Sequence, residues 1–149
     1  MKDINIRLIE ASEACDINKV KELLDNGADK DDKDNDGDTP LLWASLKGHL
    51  EVVKLLLEYG ADKEAKNNYG YTPLIRASQF GYKAIVKLLL DTGTNMEAKN
   101  KYGSTPLIWT SAHGYADVVK LLLEYGADKD AKDNDGETPL IMVSKFGHT

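Results

Sequence analysis

The chain repeats one pattern of apolar and polar positions every 33 residues. Its four prolines hold this spacing, and each lies in a Thr-Pro-Leu segment. A fixed period of this length is typical of repeat proteins, in which each unit is one supersecondary structure. The prolines are Pro40, Pro73, Pro106 and Pro139. The period divides the chain into a degenerate first unit (1–33), three complete units (34–66, 67–99 and 100–132) and an incomplete last unit (133–149).

Each complete unit carries start and stop signals for two short helices. Thr39 is suited to cap a helix because its hydroxyl can accept an unpaired amide of the first turn. Pro40 fits the first helical position, where a missing N–H has no cost. Gly48 is suited to end the helix because glycine tolerates left-handed backbone angles. The pattern predicts a first helix near 40–47 and a second near 50–58.

The second helix is apolar around most of its circumference. A helix on the surface of a globular protein would show a narrower apolar stripe, and helices this short are marginal alone in water. Each unit is therefore predicted to pack on the one before and the one after it. The polar segment that follows, with Gly70 near its centre, predicts an extended connection or a hairpin. The apolar residues are Val52, Val53, Leu55, Leu56 and Leu57.

The 33-residue period, the Thr-Pro-Leu segments and the stretch GHLEVVKLLLEYGAD resemble ankyrin repeats. The resemblance covers essentially the whole chain. It implies an all-α ankyrin-repeat solenoid of stacked helix-turn-helix units, with β-hairpin loops that project from one side as fingers. Residues 1–33 depart from the pattern because Lys19 and Glu22 replace apolar residues, as an N-terminal capping repeat with one face in water requires.

The last unit contains a first helix and no second one within the sequence. Ile141, Met142 and Phe146 are therefore expected to have reduced cover. We expect this unit to fray after about residue 139 or to be buried against another molecule. Self-association through the uncapped C-terminal end stays open.

Composition limits the partners and the compartment. The net charge of −6 makes an acidic surface that repels phosphate, so neither nucleic acid nor an anionic membrane is an expected partner. The one cysteine, Cys15, cannot form an internal disulfide, which favours a reducing compartment. We expect its side chain to be small and buried. No apolar run approaches the roughly 20 residues that span a bilayer, and we predict a cytoplasmic or nuclear protein.

One acidic segment, DKDNDG at 32–37, begins like a calcium loop with carboxylates at alternate positions. Position 12 of such a loop would be Trp43, which cannot supply the bidentate carboxylate. The segment is better interpreted as an acidic turn.

The three histidines lack the spacing of metal ligands. His49 and His148 share a position in the unit that Tyr82 and Tyr115 also fill, which indicates a structural role. The sequence also lacks a phosphate-binding loop and a nucleophile elbow. We therefore predict no catalytic residue, no cofactor and no metal site.

Positions that differ between units are the candidates for recognition, because the recurring positions carry packing. The two outer fingers are acidic, and the two middle ones are aromatic with one lysine. By resemblance, fingers and first helices line a concave groove that binds partners. For the two tryptophans a packing role stays open beside a binding role. The candidate partner-binding residues are Asp36, Asp38, Trp43, Tyr69, Tyr71, Arg76, Phe80, Lys101, Tyr102, Trp109 and His113.

These observations predict a non-enzymatic protein–protein interaction module with an unidentified protein partner. Two alternatives stay open from the sequence. The chain could be an engineered or stability-oriented scaffold without a natural ligand, or a regulatory segment of a larger enzyme.

Overall fold

A computed structural model describes residues 3–148 of the chain. Nine α-helices and no β-strand lie within these residues. None of these helices is long and apolar enough to cross a bilayer. The helices are α1 (Ile4–Glu13), α2 (Ile17–Asp25), α3 (Pro40–Lys47), α4 (Leu50–Glu58), α5 (Pro73–Gln79), α6 (Lys83–Asp91), α7 (Pro106–His113), α8 (Ala116–Glu124) and α9 (Pro139–Lys145).

The helices stack in two layers. The first helices of successive units, α1, α3, α5, α7 and α9, contact one another in chain order, and so do the second helices α2, α4, α6 and α8. Each first helix also contacts the second helix of its own unit where there is one. The core runs through the stack from α1 to α8, so the predicted solenoid of helix-turn-helix units is confirmed.

Local signals set the helix ends. The hydroxyl of Thr39 accepts the amide of Leu42 at 3.2 Å, and Pro40 occupies the first helical position. Gly48 ends α3 in the left-handed region with φ of +79°. A side chain there would also place its Cβ 2.8 Å from the ring of Tyr82, so the position needs glycine for space as well as for conformation. The helix bounds predicted for this unit are confirmed.

Two histidines at equivalent positions, His49 and His148, contact the preceding unit. His49 Nε2 lies 2.8 Å from the carbonyl oxygen of Glu13, and His148 Nε2 lies 3.1 Å from that of Ala112. Both carbonyls lie in the last turn of a first helix, where backbone carbonyls have no partner within the helix. The geometry agrees with the structural role predicted for the two histidines.

The prediction of a buried cysteine is wrong. Cys15 is exposed, and its φ of +60° makes it the one non-glycine residue with positive φ among residues 3–148. It occupies the position that Gly48 fills in the next unit. The chain reverses direction there, and the thiol of Cys15 points away from the core of the first unit.

Apolar side chains at the C-terminal end are exposed as expected, with one exception. Leu140 is 73% exposed, whereas Leu107 at the equivalent position of the preceding unit is 1% exposed. Ile141 and Phe146 are exposed as well. Met142 is buried, contrary to the prediction, because α9 packs against α7 and Met142 is covered on that side. The helix α9 is formed in the structure, and its fraying in solution stays a prediction.

Candidate partner-binding surface

The fingers are tight turns closed by backbone hydrogen bonds. In the first of them the amide of Gly37 donates to Asp34 at 3.0 Å, and the amide of Asp34 donates to Asp38 at 3.1 Å. The carboxylate of Asp34 also accepts the amides of Asp36 and Asp38. The predicted hairpin reversals are therefore present as turns, without regular strands in the described residues. The four fingers span residues 34–38, 67–71, 100–104 and 133–137.

Neighbouring fingers are joined by one backbone hydrogen bond each. These bonds hold the tip residues in a row at fixed spacing, which we call the fingertip row: Asp36, Tyr69, Tyr102 and Asp135. The bonds run from Asn68 N to Asp36 O (2.9 Å), from Lys101 N to Tyr69 O (2.9 Å) and from Asn134 N to Tyr102 O (3.0 Å).

Three of the predicted residues meet at the centre of the row. The ammonium group of Lys101 lies 4.5 Å from the ring centroid of Tyr69 and 5.0 Å from that of Tyr102. Both distances suit a cation–π contact. Tyr69 is 42% exposed and Tyr102 is 53% exposed. The result is an ordered, solvent-facing group of two aromatic rings around one positive charge, which we call the central cluster.

A second group of candidate side chains is centred on Arg76 of α5. The guanidinium carbon of Arg76 lies 4.2 Å from the ring centroid of Tyr71, and Arg76 donates to the side chain of Gln79 at 3.0 Å. Phe80 follows at the end of the helix, is exposed, and stacks on Tyr82 with 5.9 Å between ring centroids. The sequence does not point to Gln79, because its role depends on where the side chain of Arg76 lies.

The next unit carries an aromatic stack. The rings of Trp109 and His113 stack with their centroids 4.9 Å apart, and Tyr115 continues the stack 6.0 Å from His113. The sequence pattern indicates only a structural role for Tyr115, whereas in the structure its ring also stacks on the exposed His113.

The two tryptophans differ in their polar contacts. The indole N–H of Trp43 donates to the carboxylate of Asp34 at 2.8 Å, which ties the partly buried ring to its own finger. At the equivalent position in the third complete unit, the indole nitrogen of Trp109 is buried without a hydrogen-bond partner. In that unit Asn100 takes the place of Asp34, and its side-chain nitrogen is also buried and unpaired. The hydrogen bond to Asp34 therefore gives Trp43 a structural role within its own unit.

The two acidic residues predicted in the first finger lie in different surroundings. Asp36 is exposed at the tip. Asp38 is only 5% exposed, and its carboxylate accepts the side-chain amide of Asn67 in the next finger at 3.0 Å. Burial raises the pKa of Asp38 above the usual range of an aspartate. Asp38 is thus enclosed between fingers, which the sequence pattern did not indicate.

The last finger concentrates carboxylates. Ligand-type oxygens of Asp133, Asp135 and Glu137 lie within 4.8 Å of one another. The carboxylate of Asp133 accepts the amides of Asp135 and Glu137, both at 2.9 Å, and Glu137 pairs with Lys145 at 2.8 Å. Two of the three groups thus serve the turn and an ion pair, and Asp135 contributes exposed negative charge.

Comparison with known families gives one result that spans the chain. The family model for ankyrin repeats (3 copies) matches residues 8–100 and 92–149. Proteins of this kind are generally protein–protein interaction modules and typically carry no enzymatic activity. A comparison with curated proteins finds no match.

Proposed function

Because the chain belongs to the ankyrin-repeat family, we propose that it binds a protein partner through its fingers and the exposed side of its first helices. The observation that carries the proposal is the central cluster of Tyr69, Lys101 and Tyr102. Aromatic and cationic side chains are over-represented among the residues that dominate binding energy in protein interfaces. Here they occupy positions that vary between units, while the recurring positions hold the stack together.

The surface is ordered before a partner arrives. Backbone hydrogen bonds fix the fingertip row, and the cation–π contacts hold the side chains of the central cluster against one another. Arg76 is held in the same way between Tyr71 and Gln79. Side chains that are already ordered lose less conformational entropy on binding, which favours affinity.

The charges on the surface suggest the chemistry of the partner. Lys101 and Arg76 lie at the centre, and Asp36 and Asp135 lie at the two ends of the fingertip row. Stacked helices are 8–10 Å apart, so the outer tips are separated by roughly 30 Å. The complementary partner carries carboxylate or carbonyl groups opposite the centre and lysine or arginine on either side. Electrostatic matching of this kind chiefly raises the rate and specificity of association.

The test is a quantitative affinity purification from cell extract with the chain as bait, read out by mass spectrometry. Replacing both exposed tyrosines, Tyr69→Ala with Tyr102→Ala, is expected to reduce the recovery of specific partners at least tenfold, because it removes both rings of the central cluster. The melting temperature is expected to change by only a few degrees, since neither ring lies in the core.

A matched control replaces two tyrosines on the second-helix side of the stack. Tyr59→Ala with Tyr125→Ala removes the hydroxyls that donate to Asp25 and Asp91, so it costs stability, but it leaves the fingers unchanged. We expect this variant to keep the partners that the parent chain recovers. Equal recovery by the parent and by the Tyr69/Tyr102 variant would show that the binding surface has been assigned to the wrong face.

A further inference from the structure

The C-terminal end of the stack presents an apolar groove of about 810 Å³ between α8 and α9, which we call the end groove. One wall is the exposed face of α8, with Ala116, Val119 and Leu123. The other wall is formed by Val143 and Gly147 in and after α9. Leu140, one helical turn before Val143, continues this apolar face, since residues three apart lie on the same side of a helix.

The same positions are covered at the earlier junctions of the chain. Leu123 is 44% exposed, whereas Leu90 at the equivalent position one unit earlier is 6% exposed because the next helix pair packs on it. The end groove therefore has the composition of an internal junction but faces solvent. Burial of apolar area of this kind favours association, and contiguous exposed patches commonly mark interaction sites.

Two opposite charges border the groove on one flank. Lys120 and Glu124 lie on α8 beside the apolar residues, and the side chain of neither makes a hydrogen bond or an ion pair with any of residues 3–148. At the equivalent positions of earlier units, Asp25 and Asp91 accept the hydroxyl of a tyrosine in the following unit. Where the following unit supplies a hydroxyl donor, the residue equivalent to Glu124 therefore contacts that unit.

The order of these residues along α8 is self-complementary. A twofold axis that brings two α8 helices together antiparallel keeps the same flank of each helix on the same side of the contact. With the axis near residue 122, Lys120 of one copy lies opposite Glu124 of the other, and the reverse pair forms by symmetry. A parallel arrangement would place Lys120 against the apolar flank of the other helix.

We propose that two copies of this 149-residue chain associate through the end groove, with α8 of each copy packed antiparallel against α8 of the other and seated in its groove. The contact joins apolar faces at the centre and two reciprocal Lys120–Glu124 pairs at the rim. An interface of two helices per copy is at the small end of specific interfaces, below the roughly 1,600 Å² of a standard one. We therefore expect a dimer that dissociates on dilution. It leaves the fingers free and does not depend on the proposed partner-binding surface.

Sedimentation velocity over a dilution series tests the dimer. The parent chain is expected to move from the mass of two chains to that of one as it is diluted. Lys120→Glu places like charges opposite each other at both reciprocal pairs, and Glu124→Lys does the same with the opposite sign. Each variant alone is expected to dimerise at least tenfold more weakly than the parent.

An equimolar mixture of the two variants is the decisive sample. Each chain then carries the charges that the other lacks, so a mixed dimer is expected at concentrations at which either variant alone is monomeric. A substitution that merely perturbed the fold would not be rescued by mixing. Thermal melts of both variants verify that they are folded.

Two further variants locate the contact. Leu123→Gln is expected to weaken the dimer because it removes apolar area from the groove, whereas Ile6→Gln, at an exposed apolar residue of the other end, is expected to leave it unchanged. The proposal is overturned if the parent stays monomeric at the highest accessible concentration. It is equally overturned if the folded variants do not recover on mixing, or if Ile6→Gln and not Leu123→Gln removes the dimer.

Discussion

Cys15 and the glycines at equivalent positions show how one backbone angle selects a residue. Cys15 has φ of +60°, and Gly48 and Gly114 have +79° and +72°. A non-glycine residue in this region costs roughly 1 kcal/mol. We expect Cys15→Gly to raise the free energy of unfolding by up to about 1 kcal/mol, partly offset by the greater freedom of glycine in the unfolded chain. Urea denaturation measures the change.

The control for this prediction is one residue away. Ala14 has φ of −81°, so Ala14→Gly relieves no strain and adds only unfolded-state entropy. It is expected to lower the free energy of unfolding by roughly 0.5–1 kcal/mol. If both substitutions shift stability in the same direction and by the same amount, the positive φ at Cys15 carries no measurable strain.

The unpaired indole of Trp109 leads to a second prediction at the same scale. Asn100 presents a donor where Asp34 presents an acceptor to Trp43. Asn100→Asp is expected to supply the missing acceptor and to stabilise the fold by about 1 kcal/mol, since a buried unpaired donor costs roughly 1–3 kcal/mol and the buried carboxylate offsets part of the gain.

The measurement is the NMR signal of the indole N–H together with urea denaturation. In Asn100→Asp the Trp109 signal is expected to move toward that of Trp43. The reciprocal substitution Asp34→Asn should move the Trp43 signal away and lower stability by a similar amount. An unchanged Trp109 signal in the folded variant would contradict the prediction.

At the scale of elements, helix bounds followed from the sequence because their signals are local. Thr39, Pro40 and Gly48 act within one turn of the helix they delimit, so the ends of α3 were predictable without its neighbours. The fingers were less predictable. Whether a polar loop forms paired strands or a turn depends on hydrogen bonds to the adjacent finger, such as the one from Asn68 to Asp36, and these bonds form only once the units have stacked.

The helix α9 differs from the other first helices in what covers it, because it packs against α7 and lacks a second helix of its own within the described residues. We expect its amides to exchange with solvent at least tenfold faster than those of α5, which has the same length and packs on both sides. Hydrogen exchange of the monomeric chain measures the two helices in one sample. Equal protection of α5 and α9 would contradict fraying of the last unit.

At the scale of the whole molecule, the sequence predicts the stack of units, but it does not predict which side chains of neighbouring fingers touch one another. The period alone placed Tyr69, Lys101 and Tyr102 on neighbouring fingers. That Lys101 lies between the two rings, and that Asp38 is enclosed by the next finger, depends on how far each unit is displaced from the one before. This displacement arises from packing between units and is not encoded in any single repeat.

The row of bonds between finger backbones also limits the ways in which a ligand can attach. An extended peptide that lengthens a sheet needs free amides and carbonyls along an edge. In the interior of the row, the one amide and the one carbonyl of each finger that point to its neighbours are already paired with them. Of the groups in this bonding pattern, the amide of Asn35 and the carbonyl of Asp135, at the two ends of the row, have no such bond within residues 3–148. Strand addition is thus confined to the two ends of the fingertip row. A molecule that binds over the middle of the row has to be recognised by side chains.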